Sequence, residues 1–222
     1  MRGRFITFEG IEGCGKSSQA ARLVERLQAA GHRVHAAREP GGTPAAEAIR
    51  GVMLDPSHEG LSAETELLLV TAARADHCRR VLEPALAAGT SVVCDRFSDS
   101  TRAYQGAGRQ LDADTIERVD AFATGGLVPD ATLLLDLPAE LGLERARSRN
   151  DDGGSAAAAE SRIDDEDLAF HRRVRSGFLR LAGREPTRLW VIDASGDLDD
   201  VAARIDRALE RALPGFLSAG PA

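Results

Sequence analysis

The chain has 222 residues, of which 43% are apolar and 28% charged, with a formal net charge of −7. That length fits one domain, since domains run to roughly 100–200 residues, and a chain of this size buries about 70% of its extended surface. Wholesale disorder is excluded, no apolar run reaches the ~18 residues of a membrane span, and general nucleic-acid binding is disfavoured because it wants a basic footprint.

Met1 to Phe8 runs into a strand with no signal-peptide pattern. Three widely spaced cysteines give neither a disulfide framework nor paired zinc spacing, so a reducing cytoplasm is the expected setting. Of the 28 basic residues only Lys16 is lysine. Where arginine has replaced lysine everywhere else, a surviving lysine marks a position that arginine does not serve.

Strands and helices alternate. Arg4–Phe8 is predicted as a strand and Ser17–Ala30 as a helix stopped at Gly31. Arg33–Ala37 is a second strand, followed by the loop Arg38–Thr43. Pro44–Leu54 and Ser62–Ala88 read as helices, the second ending at Gly89. Ser91–Cys94 is a β-branched strand ending at Asp95, and Asp112–Thr124 a helix. Ala131–Leu137 is apolar almost throughout, as expected of a strand buried on both faces. Pro138–Arg149 is helical, Arg188–Asp193 the fifth strand and Asp197–Leu213 the last helix. The expected fold class is α/β, a parallel five-stranded sheet with helices on both faces. The Gly- and Ala-rich stretch Asn150–Glu160 interrupts the pattern. It is flanked by Arg145, Arg147, Arg149 and Arg162, and is expected to be the mobile tip of a lid at about 147–163 of a single domain, 1–222.

Gly10–Ser17 reads GIEGCGKS and fits G-x-x-x-x-G-K-[ST] between a predicted strand and a predicted helix, the context of a phosphate-binding P-loop. Its glycines let backbone N–H groups turn toward phosphate oxygens, and the helix N-terminus adds positive potential. Lys16 supplies a compact cation to the β- and γ-phosphates, where a planar guanidinium would not fit. Gly10, Ile11, Glu12, Gly13, Cys14, Gly15, Lys16, Ser17 and Ser18 are the candidate ATP-binding residues. Ser17 and Asp95, at its strand end, are the candidate Mg²⁺ ligands. Arg96 follows at a strand end suited to a second phosphate. A GTPase would need N-K-x-D, which is absent. Two phosphate-bearing ligands facing each other indicate a kinase of small molecules.

FEGIEGCGKSSQ (Phe8–Gln19), REPGGT (Arg38–Thr43), IR at Ile49-Arg50, TAARADH (Thr71–His77), DRFSDSTRAYQGAGR (Asp95–Arg109) and SRIDDEDLAFHRRVRSGF (Ser161–Phe178) together resemble the bacterial thymidylate kinase family over nearly the whole chain. The resemblance implies the nucleoside monophosphate kinase type of P-loop fold, with a lid, and transfer of the ATP γ-phosphoryl group to dTMP. It implies that Arg38, Arg50 and Arg96 hold the acceptor phosphate, that Arg74, Thr101 and Gln105 read the thymine edge, and that Tyr104 lies against the sugar. Glu12 would sit near the acceptor end, and Glu39 would orient arginines. Lys16, Arg96, Glu12, Asp95 and the lid residue Arg162 would be the catalytic set. The loop Asp193–Ser195 would flank the adenine, and a homodimer is implied, with helix Ser62–Ala88 a candidate face. The stretch Leu67–Ala73 lacks the aromatic that stacks on thymine in many members, so Val70 is expected to pack on the base instead. The lid also carries extra residues before Arg162. The alternatives are a kinase of another nucleotide or nucleoside, and a P-loop regulatory protein that binds ATP without phosphorylating a metabolite.

Overall fold

The computed structural model describes residues 2–58, 60–152 and 162–218, with side chains for all of these except 149–152. The centre of the expected lid, 153–161, and the side chain of Arg149 lie outside the described residues. Five strands form one parallel sheet in the order β2-β3-β1-β4-β5. They are β1 (Phe5–Glu9), β2 (Val34–Arg38), β3 (Ser91–Asp95), β4 (Ala131–Asp136) and β5 (Leu189–Asp193).

Parallel neighbours need crossovers, and helices supply them on both faces. They are α1 (Lys16–Ala29), α2 (Pro44–Leu54), α3 (Ala63–His77), α4 (Glu83–Ala87), α5 (Ser98–Thr101), α6 (Ala113–Thr124), α7 (Ala139–Asp152), α8 (Leu168–Arg184) and α9 (Leu198–Ala212). The side-chain period of two divides β1 between the faces. Ile6 and Phe8 join the larger core with Leu23, Leu27, Phe170 and Phe178, while Phe5 joins a smaller one with Leu82, Val92 and Phe97. Glu9 therefore points to the same side as Phe5, beneath α5. All three cysteines are buried and unpaired, as packing residues.

Element ends differ from the sequence reading by a few residues, and three features were not read there at all. The expected helix Ser62–Ala88 is a rod in which a π-helical turn, Cys78–Leu82, separates α3 from α4. The motif after Asp95 folds into α5 and a second π-helical stretch, Arg102–Gly108. Helix α8 is the third. Its signal was present: Asp167 caps Phe170 N, and Phe170, Val174, Phe178 and Ala182 are buried at four-residue spacing. The crowd of arginines between them masks that stripe. Helix α8 packs tightly on the π-helical stretch, since a Cβ on Gly177 would stand 2.6 Å from Ala107 Cβ and one on Gly108 2.7 Å from the Phe170 ring.

Strand register positions the site. Phe8 and Arg38 both pair with Asp95, so β2, β3 and β1 end side by side at the carboxyl edge. The loop after β1 is pinned from behind by α7. A Cβ on Gly13 would lie 2.0 Å from the Gly142 carbonyl oxygen, and one on Gly142 2.6 Å from the Glu12 carbonyl oxygen. Gly142→Ala should therefore destabilise the protein by roughly 1–3 kcal/mol. Gly183, late in α8, has open space around it, and Gly183→Ala should stabilise by roughly 0.5–1 kcal/mol. Thermal unfolding of the two variants should move Tm in opposite directions.

Candidate active site

The loop Gly10–Gly15 wraps the N-terminus of α1. Gly10, Gly13 and Gly15 take φ of 140°, 68° and 90°, values that suit glycine. Gly15 stands at the N-cap with no side-chain cap, so the first N–H groups of α1 remain open to an anion. Lys16 is largely buried. Its Nζ donates to the Ile11 carbonyl at 2.7 Å, folding the side chain over the loop. Ser17 Oγ donates to Asp95 Oδ2 at 2.5 Å, a consequence of the β1–β3 register.

Those two oxygens test the fit of Mg²⁺. They are hard donors beside the phosphate loop, and Mg²⁺ is ordinarily held by one or two protein oxygens together with waters and substrate phosphates. No group of three or more His, Cys, Asp or Glu side chains that could hold a metal occurs among the described residues.

A cavity of about 400 Å³ adjoins this loop. Glu12, Gly13, Lys16, Ser17 and Asp95 line it from the phosphate loop, the start of α1 and the end of β3. Arg38, Arg50 and Arg96 line it too, as do Val70, Thr101, Tyr104 and Gln105, with the Tyr104 hydroxyl reaching Glu12. Glu39, Pro40, Ser100, Met53, Leu54, Ile163 and Asp164 also line it. The last four were not read from sequence, because single residues at helix and loop ends carry no distinctive pattern.

Arg96 is the hinge of the arrangement. It takes a left-handed φ of 71°, which costs a non-glycine residue about 1–2 kcal/mol. Its Nη1 donates to the Gly10 carbonyl at 2.9 Å and to Ser100 Oγ at 3.0 Å, and its Nη2 to Glu12 Oε1 at 3.0 Å. The guanidinium lies 5.0 Å from the Tyr104 ring centroid, and the Tyr104 hydroxyl also donates to Glu12. Beneath it, Glu9 is fully buried and accepts from Phe97 N at 2.8 Å and Ser100 Oγ at 2.6 Å. Burial, with the charge of Asp99, pushes the Glu9 carboxyl up to about 7.

Of the expected catalytic and substrate-binding residues, Arg74 and Arg162 do not line the cavity, and of the expected ATP-binding residues Gly10, Ile11, Cys14, Gly15 and Ser18 do not. Arg74 is 1% exposed and sits behind Thr101. It donates to Glu39 Oε2 at 2.7 Å, Thr101 Oγ1 at 2.9 Å, Asp120 Oδ1 at 2.7 Å and the Phe97 carbonyl at 3.0 Å. Arg162 is also buried. Its Nε donates to the Met53 carbonyl at 2.5 Å and its Nη1 to Glu66 Oε1 at 2.8 Å, so the side chain is docked on α2 and α3. Glu39 holds Arg74 and lies 3.1 Å from His77 Nδ1. Arg38 donates to Glu47 Oε2 at 2.8 Å and Arg50 to the Pro40 carbonyl at 3.2 Å. Arg147 is exposed on α7. Cys14 is buried under the loop, and its thiol is pushed up by burial.

A glycine-rich anion loop after the first strand of a parallel sheet, sharing one cavity with a second polar pocket, defines a P-loop kinase of the nucleoside monophosphate type. Residues 8–205 match the sequence model of the family described as Thymidylate kinase. The chain is 53% identical over 207 residues to the thymidylate kinase of Desulfosudis oleivorans, covering 93% of this chain and 96% of that one. It is 51% identical over 212 residues to that of Caulobacter vibrioides, covering 96% and 98%. The solved structure of thymidylate kinase from Ehrlichia chaffeensis superposes with a TM-score of 0.75 at 31% identity, covering 94% of this chain and 100% of the other. The chain belongs to the thymidylate kinase family.

Glu12 generates a pH prediction. Burial alone would raise its carboxyl. His171 beside it, with the charges of Arg96 and Lys16, instead pulls it from 4.5 to about 2. Such a group adds stability that is complete above the unfolded value and lost as pH falls through the folded one. Urea unfolding should therefore show wild type and Glu12→Gln converging by about 3 kcal/mol between roughly pH 4.5 and 2. A constant difference across that window would refute the assignment.

Proposed function

We propose that the protein transfers the γ-phosphoryl group of ATP to dTMP, forming ADP and dTDP. The observation that carries this reading is one cavity lined by phosphate-loop residues, by three arginines and by the polar side chains of Thr101 and Gln105, with Arg96 hydrogen-bonded to Gly10 and Glu12 of the loop. A regulatory ATP-binding protein has no use for this second set of polar side chains.

Gly10–Ser18 would cradle the ATP phosphates, with Lys16 on the β/γ bridge. Mg²⁺, bound through Ser17 and Asp95, would neutralise phosphate charge. Arg38, Arg50 and Arg96 would hold the acceptor phosphate, already largely deprotonated at pH 7 because its second pKa is near ~6. No general base is then required, and the protein's task is positioning and charge neutralisation. Glu12 holds Arg96 and Tyr104, and Tyr104 would meet the sugar. Thr101 and Gln105 would meet the base edge, and Val70 its face. Arg74 would act through Thr101 rather than by touching the base. Asp193–Ser195 would flank the adenine. Arg162, from the lid of about 147–163, would reach the transferring group only after leaving Glu66, and closure would exclude water.

ADP release measured across dTMP, dUMP, AMP, GMP and CMP should single out dTMP, and equal use of a purine nucleotide would refute the reading. Lys16→Arg should lose turnover almost as fully as Lys16→Ala, and near-wild-type turnover in the arginine variant would show that charge alone suffices. Arg162→Ala should lower kcat by on the order of 10³-fold while calorimetric dTMP affinity stays within about twofold, the mark of an interaction made only in the transition state.

We also infer a homodimer in a cytoplasmic setting. None of the described helices is long and apolar enough to cross a membrane. Leu68 on α3 and Phe122 on α6 are large, exposed apolar residues on two helices that pack together, and Phe122 is 86% exposed. Phe122→Glu should halve the mass seen by light scattering, and an unchanged mass would move the interface elsewhere.

A further inference from the structure

The polar groups of Thr101 and Gln105 in the cavity wall are each committed to a buried partner, and that commitment fixes what they offer a ligand. Glu66 of α3 is wholly buried. Its carboxylate accepts from Arg109 Nε at 3.0 Å, Arg109 Nη2 at 2.7 Å and Arg162 Nη1 at 2.8 Å. Burial would raise its pKa, but the two guanidinium groups hold the carboxyl below its usual range. An ionised carboxylate has acceptors only. The end of the Gln105 amide that faces it, at 3.3 Å, is therefore the NH₂ group. The other end, the carbonyl oxygen Oε1, remains for a ligand.

Thr101 is constrained in the opposite sense. Arg74 Nη1 donates to Thr101 Oγ1, and a guanidinium has no acceptor, so the Thr101 hydroxyl accepts there and keeps its proton to donate. Thr101 and Gln105 both line the cavity, four residues apart on one helical segment.

We propose that Glu66 is a positioning residue that sets the hydrogen-bond polarity of the base pocket, with Gln105 as acceptor and Thr101 as donor, so that a keto pyrimidine protonated at N3 is selected over an amino pyrimidine. This rests on the dTMP reading above. Thymine presents the O4 acceptor beside the N3–H donor, which matches the pair. Cytosine presents an amino donor beside an N3 acceptor. It would set donor against donor and acceptor against acceptor, leaving buried groups unmet on both sides. Pockets that reject a ligand this way discriminate by on the order of 10⁴-fold. Glu66→Gln replaces an obligate acceptor with a group that accepts or donates, and so frees the Gln105 amide to turn over.

The test uses the full chain and compares kcat/KM for dTMP and 5-methyl-dCMP, which share the methyl group and differ only along this edge. Wild type should prefer dTMP by on the order of a thousandfold or more. Glu66→Gln should narrow that preference at least tenfold with the KM for ATP unchanged, and Glu66→Asp should keep it. A Glu66→Gln protein that folds and retains the wild-type ratio overturns the proposal. Should that variant not fold, wild type supplies the decision with 3-methyl-dTMP, which lacks the N3 proton. A loss similar to that with 5-methyl-dCMP supports the polarity, and turnover equal to dTMP overturns it. Activity on dTMP with no discrimination refutes this inference alone, whereas absence of dTMP activity refutes the functional reading beneath it.

Discussion

Arg74 holds a full charge at 1% exposure, and the acceptor side of the cavity is built around its neutralisation. Its partners come from three separate segments: Glu39 after β2, Phe97 and Thr101 at the two ends of α5, and Asp120 in α6. Removing one partner of such a buried group typically costs 3–5 kcal/mol, because the remaining charge has no water to turn to. The segments therefore keep one relative placement. The same guanidinium lies 5.2 Å from the Phe97 ring, which anchors it to the smaller core. In this structure Arg74 braces the segments that carry Glu39, Thr101 and Asp120.

The donor side depends on close backbone packing instead of buried charge. Gly13 and Gly142 bring the phosphate loop and α7 within a distance that leaves no room for a Cβ on either. Helix α7 leads toward the lid, so the loop and the lid's root form one packed body. Glu9 and Glu12 then join the two sides. Glu9 caps the turn after β3 through Phe97 N and Ser100, and Glu12 holds Arg96 against the P-loop carbonyl at Gly10. The strained backbone of Arg96 is held by these bonds, consistent with strain concentrating where a side chain must be aimed.

The arginine-rich composition reappears as paired charge. Arg109 and Arg162 share Glu66, Arg109 also meets Glu166, and Arg175 meets Asp136 in two hydrogen bonds. Planar guanidinium groups suit such two-point contacts, which an ammonium does not reproduce. Lys16 is used differently, as a point cation that folds onto a carbonyl within its own loop. The contrast gives a physical reason for one lysine among so many arginines.

Sequence alone determined the P-loop, the five strands and their parallel arrangement, because each rests on a local pattern: glycine spacing, apolar alternation, or a short buried run. Lys16, Ser17, Asp95 and Arg96, named as candidates from a motif or a strand end, and Thr101 and Gln105, named from the family resemblance, all line the cavity. Helix α8 escaped because charged residues crowd its apolar stripe, and the two π-helical stretches escaped because no residue spacing marks a widened turn. Only the tertiary structure decided that Arg74 stands behind Thr101, that Arg162 docks on Glu66, and that Gln105 meets Glu66. The Arg162–Glu66 and Gln105–Glu66 contacts span 96 and 39 residues. Whether a charged side chain points at a ligand or at a buried partner depends on which chain segments the sheet brings together. No local pattern encodes that, because burial and hydrogen-bond satisfaction are properties of the assembled core.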